Sequence, residues 1–280
     1  MKKISKPLIK SKASDIFQTC IDAYCIQSKK DELSTHKKNV ELASTEYDKH
    51  IPNEFDKYNP PSASPDVTNS LIGVYEYMIV KKRIGGFYDE IIANANRICP
   101  FCGEGTPKNL DHFLPKTAYP FLVVTPENLV PSCRDCNMEK NKQTPTCNEE
   151  VPLHPYYDDI QSVWLEVIID YSKTDCLYMD FINNLNKAVE PSLAKRIDAH
   201  MQVHALKDNF STHATSEINS RKRNHLRAAQ QGINVLKSDL EYELESCEEE
   251  DINSWRSALY RELIRNVDKY SDWLLHLPAR

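Results

Sequence analysis

The chain has 280 residues and a net charge of −6 at pH 7, long enough for one or two domains with a real core. Its six glycines fall well below the roughly 20 that average usage would give, which favours a helix-rich chain. The charge balance excludes a globally basic nucleic-acid binder, and much of the acidity lies in residues 237–280, with eleven Asp/Glu against six Lys/Arg. The basic start MKKISKPLIK has no apolar run after it and does not read as a signal peptide. The longest apolar stretch, Leu71 to Val80, is interrupted by Glu76 and is too short to span a membrane. Nine cysteines without a disulfide framework suit a reducing, cytoplasmic setting.

Taken in order, residues 14–50 read as one or two amphipathic helices, with Ile16, Cys20, Ala23 and Tyr24 on one stripe and an interruption at Lys29 to Asp31. A linker follows, IPNEFDKYNPPSASPD, punctuated by Pro52, Pro60, Pro61 and Pro65. Asp66 or Thr68 can cap the next helix, whose buried face carries Leu71, Val74, Tyr75 and Met78. Gly85-Gly86 ends it, and a short helix near Tyr88 to Asn96 leads into the most informative stretch of the chain.

That stretch is CPFCGEGTPKNLDHFLPKTAYPFLVVTPENLVPSCRDCNMEK, residues 99–140. Two Cys-x-x-Cys turns, Cys99/Cys102 and Cys133/Cys136, can present four thiolates to one tetrahedral structural zinc. The 30 residues between them exceed the usual 15–20 of a zinc ribbon, so the cysteines clamp an inserted unit. Within it, Asp111 offers a hard carboxylate oxygen and Asn137 an amide oxygen, which suits Mg²⁺ or Mn²⁺. His112 can take a proton from water near neutral pH. Phe121 to Val124 reads as β-like, Thr125-Pro126 as a turn, and a helix is expected to begin near Asn137, offering its N-terminus to a phosphate. Downstream, VWLEVIIDYS and CLYMDFINN, joined by Lys173-Thr174-Asp175, read as a β-hairpin. Helices are expected over 191–208, 211–231, 233–249 and 253–275, the last capped by Asp251 or Asn253 and showing Trp255, Leu259, Leu263 and Val267 on one face.

At these residues the stretch resembles the HNH (ββα-metal) endonuclease family, in the variant where Asp and Asn replace metal-binding histidines. The resemblance implies Asp111 and Asn137 as ligands of a catalytic Mg²⁺ or Mn²⁺, His112 as general base, and Asn128 as the residue that aims it. It also implies zinc on Cys99, Cys102, Cys133 and Cys136. The implied fold is α+β and mostly helical: a central zinc-stapled ββα-metal unit with a β-hairpin after it, flanked by N- and C-terminal helices. The expected division is 1–65 (helical segment and linker), 66–150 (nuclease core), 151–185 (hairpin extension) and 186–280 (helical region). More loosely, CPFCG, LDHFLPK, NLVPSC, LHPYYD and NSWRSALY are similar to the PtuB-like HNH component of Septu-type bacterial anti-phage systems, relatives of which accompany some retrons. That similarity runs over about residues 70–265. It implies cleavage of nucleic acid, DNA in the first place, with an ABC/AAA-like (PtuA-like) ATPase as partner and no membrane.

Other residues admit plainer readings. Lys116, Lys140 and Lys142 are either solvated charges or contacts to a nucleic-acid backbone. His200 and His204 stand at metal-binding i,i+4 spacing but have no third ligand nearby. The basic run Arg221, Lys222, Arg223, His225 and Arg227 reads as a solvated helix face in preference to a nucleic-acid track. His154 is expected to pack against the zinc unit. The rivals of a DNA endonuclease are an RNA-cutting effector, for instance against transfer RNA, and a non-catalytic zinc module that binds nucleic acid or protein.

Overall fold

The computed structural model describes residues 1–7, 11–81, 83–84, 86–141, 143–173, 176–185 and 190–277. Gly85, Lys142, Thr174 and Asp175, each given a role above, lie outside the described residues. The architecture is α+β and mostly helical, with two separate two-stranded antiparallel sheets. The chain divides into two compact units, Met1–Asp159 and Ile160–Arg280. No described helix is long and apolar enough to cross a membrane.

The first unit opens with three helices, α1 (Ala13–Asp22), α2 (Gln27–Ser34) and α3 (Lys37–His50). The expected interruption at Lys29 to Asp31 is misplaced, because those residues lie inside α2. Side-chain bonds hold that polar helix together: Gln27 to Asp31 at 2.8 Å, and Lys29 to both Glu32 and Ser70. The α1 stripe buries Ile16, Phe17, Cys20 and Ile21, while Ala23 falls outside the helix and is exposed.

Ser64, not Asp66 or Thr68, caps α4 (Pro65–Val74). Pro65 occupies the first helical position, where its missing N–H costs nothing, so the residue before it accepts from Val67 N. Helix α4 runs into a π-helical turn, Tyr75–Val80, and the expected face Leu71, Val74, Tyr75 and Met78 is buried. After α5 (Phe87–Ala93) come β1 (Asn109–His112), β2 (Leu129–Ser132) and α6 (Arg134–Lys140). The register pairs Asp111 with Val130 and His112 with Leu129. Pro131 is tolerated in β2 because each strand of a two-stranded sheet is an edge.

Phe121 to Val124 is not a strand. Pro120–Leu122 forms a 3-10 turn, and Phe121, Leu122, Val123 and Val124 are all buried. An apolar run enclosed on every side lacks the alternation that a half-exposed strand needs. Helix α6 starts at Arg134, capped by Cys133, so Asn137 sits in its middle and not at its N-terminus.

The second unit begins with the expected hairpin, β3 (Leu165–Asp170) and β4 (Tyr178–Asn183). Leu165, Val167 and Ile169 point inward and alternate with Glu166, Ile168 and Asp170, while Val167 pairs with Phe181. Helices α7 (Pro191–Val203), α8 (Leu206–Gln231), α9 (Ile233–Glu250), α10 (Trp255–Arg265) and α11 (Val267–Leu275) complete it. The first break comes at Ala205, whose φ of 48° cannot continue a right-handed helix. The last expected helix is two, broken at Asn266. Ser254 caps α10 by accepting from Ser257 N at 3.0 Å. Asn253 serves the hairpin instead, accepting from Trp164 N at 2.8 Å and donating to Ser162 O at 3.0 Å.

Candidate metal centre and active site

Cys99, Cys102, Cys133 and Cys136 come together with all four sulfurs within 4.8 Å of one another, and all four residues are buried. Among the described residues this is the one cluster of three or more such groups able to hold a metal ion. The Cys102 and Cys133 sulfurs lie 3.9 Å apart. A tetrahedron with Zn–S bonds of ~2.3 Å has sulfur–sulfur edges of about 3.8 Å. Backbone N–H groups of Gly105 and Cys136 point at the sulfurs of Cys102 and Cys133, at 3.3 and 3.5 Å. Such donors stabilise thiolate charge. Gly105 is demanded by contact: a Cβ there would lie 2.6 Å from Cys133 Cβ. Gly103 turns the first knuckle with φ +76°, a conformation that favours glycine. Four cysteines are thus positioned to bind one metal ion, with no donor position left over for chemistry.

Strand β1 delivers Asp111 and His112, and α6 delivers Asn137, to the wall of one open cavity of about 360 Å³. Lys116 and Asn141 line it too. His112 is buried, and its Nε2 lies 3.1 Å from the Val123 carbonyl. A carbonyl only accepts, so Nε2 carries the proton and Nδ1 keeps its lone pair. Burial holds the ring neutral, with its pKa pushed down to about 3. The Tyr75 ring packs edge-on against the imidazole at 4.4 Å, while its hydroxyl donates to Leu110 O.

Asn128 is fully buried behind these residues. Its Oδ1 accepts from Leu114 N at 2.8 Å and its Nδ2 donates to Leu114 O at 3.1 Å. Phe113 N also donates to the Asn128 carbonyl. These bonds clamp the two residues that follow His112. Beneath them His154 packs at a tilt against Phe113, with ring centroids 4.0 Å apart, and bonds to the Tyr47 hydroxyl at 2.9 Å.

The candidate lysines differ. Lys116 is partly exposed at the cavity, 3.1 Å from Glu76 and 5.0 Å above the Tyr75 ring. Lys140 is only 2% exposed. Its ammonium lies 3.1 Å from Asp111 Oδ2 and donates to the His112 carbonyl at 2.7 Å, so it is buried against the residues that line the cavity and is not a surface charge. Asp111, with burial as the main cause, has its pKa raised from the ordinary carboxylate value. The parts that sequence reading missed are Tyr75, the Val123 carbonyl, Asn141 and the inward direction of Lys140. A helix position, a main-chain atom and a loop residue carry no motif, and only the three-residue spacing from Asn137 to Lys140 hinted at a shared helix face.

Elsewhere, His200 and His204 are both buried, with rings 4.9 Å apart. In the basic run of α8, Arg223 and Arg227 are exposed, while the other three residues make contacts within their own unit. Arg221 bridges Glu217 and Glu243, Lys222 lies over Trp273, and His225 is buried against the Tyr270 hydroxyl.

The fold and the cysteine cluster define a mostly helical α+β protein with a four-cysteine metal centre. No protein-family model and no solved structure matches the chain. Among curated proteins it is 36% identical over 129 residues to "Protein ea31" of Escherichia phage lambda, covering 43% of this chain and 40% of that protein. It is 30% identical over 147 residues to "Septu protein PtuB" of Bacillus thuringiensis, covering 47% of this chain and 56% of that protein. The chain therefore spans about half the length of these relatives.

Proposed function

We propose that the protein is a metal-dependent HNH endonuclease that hydrolyses phosphodiester bonds, DNA before RNA, with a structural zinc on its four cysteines. The observation that carries this reading is the convergence of Asp111, His112 and Asn137 on one cavity, with His112 fixed in the tautomer that leaves Nδ1 unprotonated. The carboxylate and amide oxygens form a hard donor set, and the buried Asp111 Oδ2 accepts no hydrogen bond among the described residues, although the Lys140 ammonium stands 3.1 Å away. That set fits Mg²⁺ or Mn²⁺. A divalent ion there supplies charge stabilisation for the phosphate and the leaving oxygen. His112 Nδ1 takes the proton of the attacking water, the Val123 carbonyl holds the opposite edge of the ring, and Asn128 keeps the loop from drifting. Lys116, at the open side, offers a cation to the phosphate backbone.

The test incubates the full-length protein with labelled DNA and RNA, single- and double-stranded, with Mg²⁺ or Mn²⁺. His112→Ala lowers cleavage by about 10²–10⁴-fold with fold and zinc content unchanged. A wild-type rate in that variant sinks the assignment, and preferential RNA cleavage reverses the substrate order.

The partial similarity to Septu protein PtuB supports a place in a bacterial anti-phage system, acting with an ABC/AAA-like ATPase. The groups of the proposed chemistry, Asp111, His112 and Asn137, act on the phosphodiester and read no base, so targeting by a partner gives such a site its specificity. Co-expression followed by size-exclusion chromatography checks this. Separate elution with full activity of the nuclease alone overturns it.

A further inference from the structure

A lysine and a carboxylate buried together are each costly unless the other compensates. Lys140, in the last turn of α6, and Asp111, on β1, meet this condition at 2% and 7% exposure. The ammonium stands 3.4 Å from Oδ1, which accepts its hydrogen bond, and 3.1 Å from Oδ2, which accepts none. It also donates to the His112 carbonyl at 2.7 Å. One side chain thus ties the end of the helix to the two residues that carry the proposed chemistry. The cavity that Asp111 and His112 line is also lined by Asn137, three residues before Lys140 on α6. Any cation that reaches Asp111 therefore meets a positive charge already in place.

We propose that Lys140 is the resident counter-ion of the site, a positioning residue that holds Asp111 and the His112 carbonyl in working geometry before an ion arrives and that limits how tightly a divalent ion then binds. This rests on the reading of Asp111 as an ion ligand. In the ion-free protein the ammonium neutralises the carboxylate. With an ion bound, Asp111 would share its charge between the ion and the lysine, and the His112 carbonyl would still hold the ammonium. Ammonium and divalent ion repel at this range, so the site is preformed but binds its ion weakly.

The experiment compares full-length, zinc-loaded wild type with Lys140→Met, Asp111→Asn and the double variant, in Mg²⁺-free buffer and with Mn²⁺ as the probe. Mn²⁺ affinity is read by electron paramagnetic resonance and stability by thermal melting. Lys140→Met is expected to tighten Mn²⁺ binding by about tenfold. It is expected to lower the ion-free melting midpoint by roughly 5–10 °C, most of which saturating Mn²⁺ restores. In the Asp111→Asn background the same substitution costs little, since no carboxylate is left uncompensated. Unchanged or weaker Mn²⁺ binding in Lys140→Met overturns the proposal. So does an equal loss of stability in both backgrounds, which is the signature of a plain cross-link through the His112 carbonyl. If Lys140→Met alone is insoluble, recovery of the double variant supports the proposal, and insolubility of both overturns it. No arm uses nucleic acid. A protein that shows this coupling yet cuts nothing refutes the nuclease reading alone, and an active nuclease without the coupling refutes this inference alone.

Discussion

The two units solve the problem of holding buried polar groups by different means. Around the site of the first unit the elements are short: two four-residue strands and a seven-residue helix carry Asp111, His112, Asn137 and Lys140. Helices and hairpins of that size are marginal by themselves. The cysteine cluster brackets them, with Cys99 and Cys102 before β1, and Cys133 and Cys136 at the start of α6. The second unit has helices of 26 and 18 residues and a hairpin with clean alternation. Its aromatic core includes Phe181 against Phe210 and Tyr270 against Trp273. Long amphipathic elements stabilise themselves by apolar burial. Short ones that carry chemistry need a cross-link.

The sharpest way to break this contrast is to remove the metal. All three tryptophans, Trp164, Trp255 and Trp273, lie in the second unit, so tryptophan emission reports on that unit. Chelation or Cys99→Ser is expected to cost the first unit on the order of 10 kcal/mol. The segment 99–140 then becomes protease-sensitive, while the emission maximum stays where it was. A red shift concurrent with zinc loss shows that both units depend on the metal. Natively purified protein without zinc removes the contrast altogether.

A smaller effect is expected at Asn128, which holds the loop after His112 by two side-chain bonds and no metal. Asn128→Ala strands Leu114 N and O in a buried setting, at about 1–3 kcal/mol for each unsatisfied group. Urea denaturation followed by a first-unit probe is expected to show the lower midpoint, with tryptophan emission unaffected. A loss below about 0.5 kcal/mol means that the bonds are replaced by water and that Asn128 does not position His112.

Much of this contrast was legible in the sequence. The Cys-x-x-Cys pairs fix their own geometry through local turns, so their spacing alone predicted the cluster. The hairpin was legible because Leu165, Val167 and Ile169 alternate with outward residues, and the face of α4 because its period is helical. Helix ends were less so. Ser64 and Ser254 take caps that acidic or amide neighbours offered equally well, and Ala205 breaks a helix with a residue that normally prolongs one. Phe121 to Val124 misled because an enclosed apolar run has no period to read. The inward turn of Lys140 depends on where β1 places Asp111, a tertiary fact that no local pattern encodes.

The mildest prediction tests the second unit by pH. His225 on α8 is buried, its Nδ1 lies 2.8 Å from the Tyr270 hydroxyl of α11, and burial pushes its pKa down to about 4. Arg221 adds to the depression, while Asp239 and Glu217 oppose it. An unfolded histidine titrates near 6.5. Between these values the unfolded chain binds a proton that the folded unit refuses, so stability falls as pH drops from about 6.5 towards 4. The difference is worth about 3 kcal/mol when complete. Carboxylates titrate in the same window, and the comparison with His225→Gln isolates the histidine, because the amide keeps a partner for Tyr270 and binds no proton. Urea midpoints followed by tryptophan emission at pH 7 and pH 4.5 are expected to fall further for wild type than for the variant. Equal falls mean that the folded unit accepts the proton at His225, and that its core tolerates charge where this contrast requires it to stay dry.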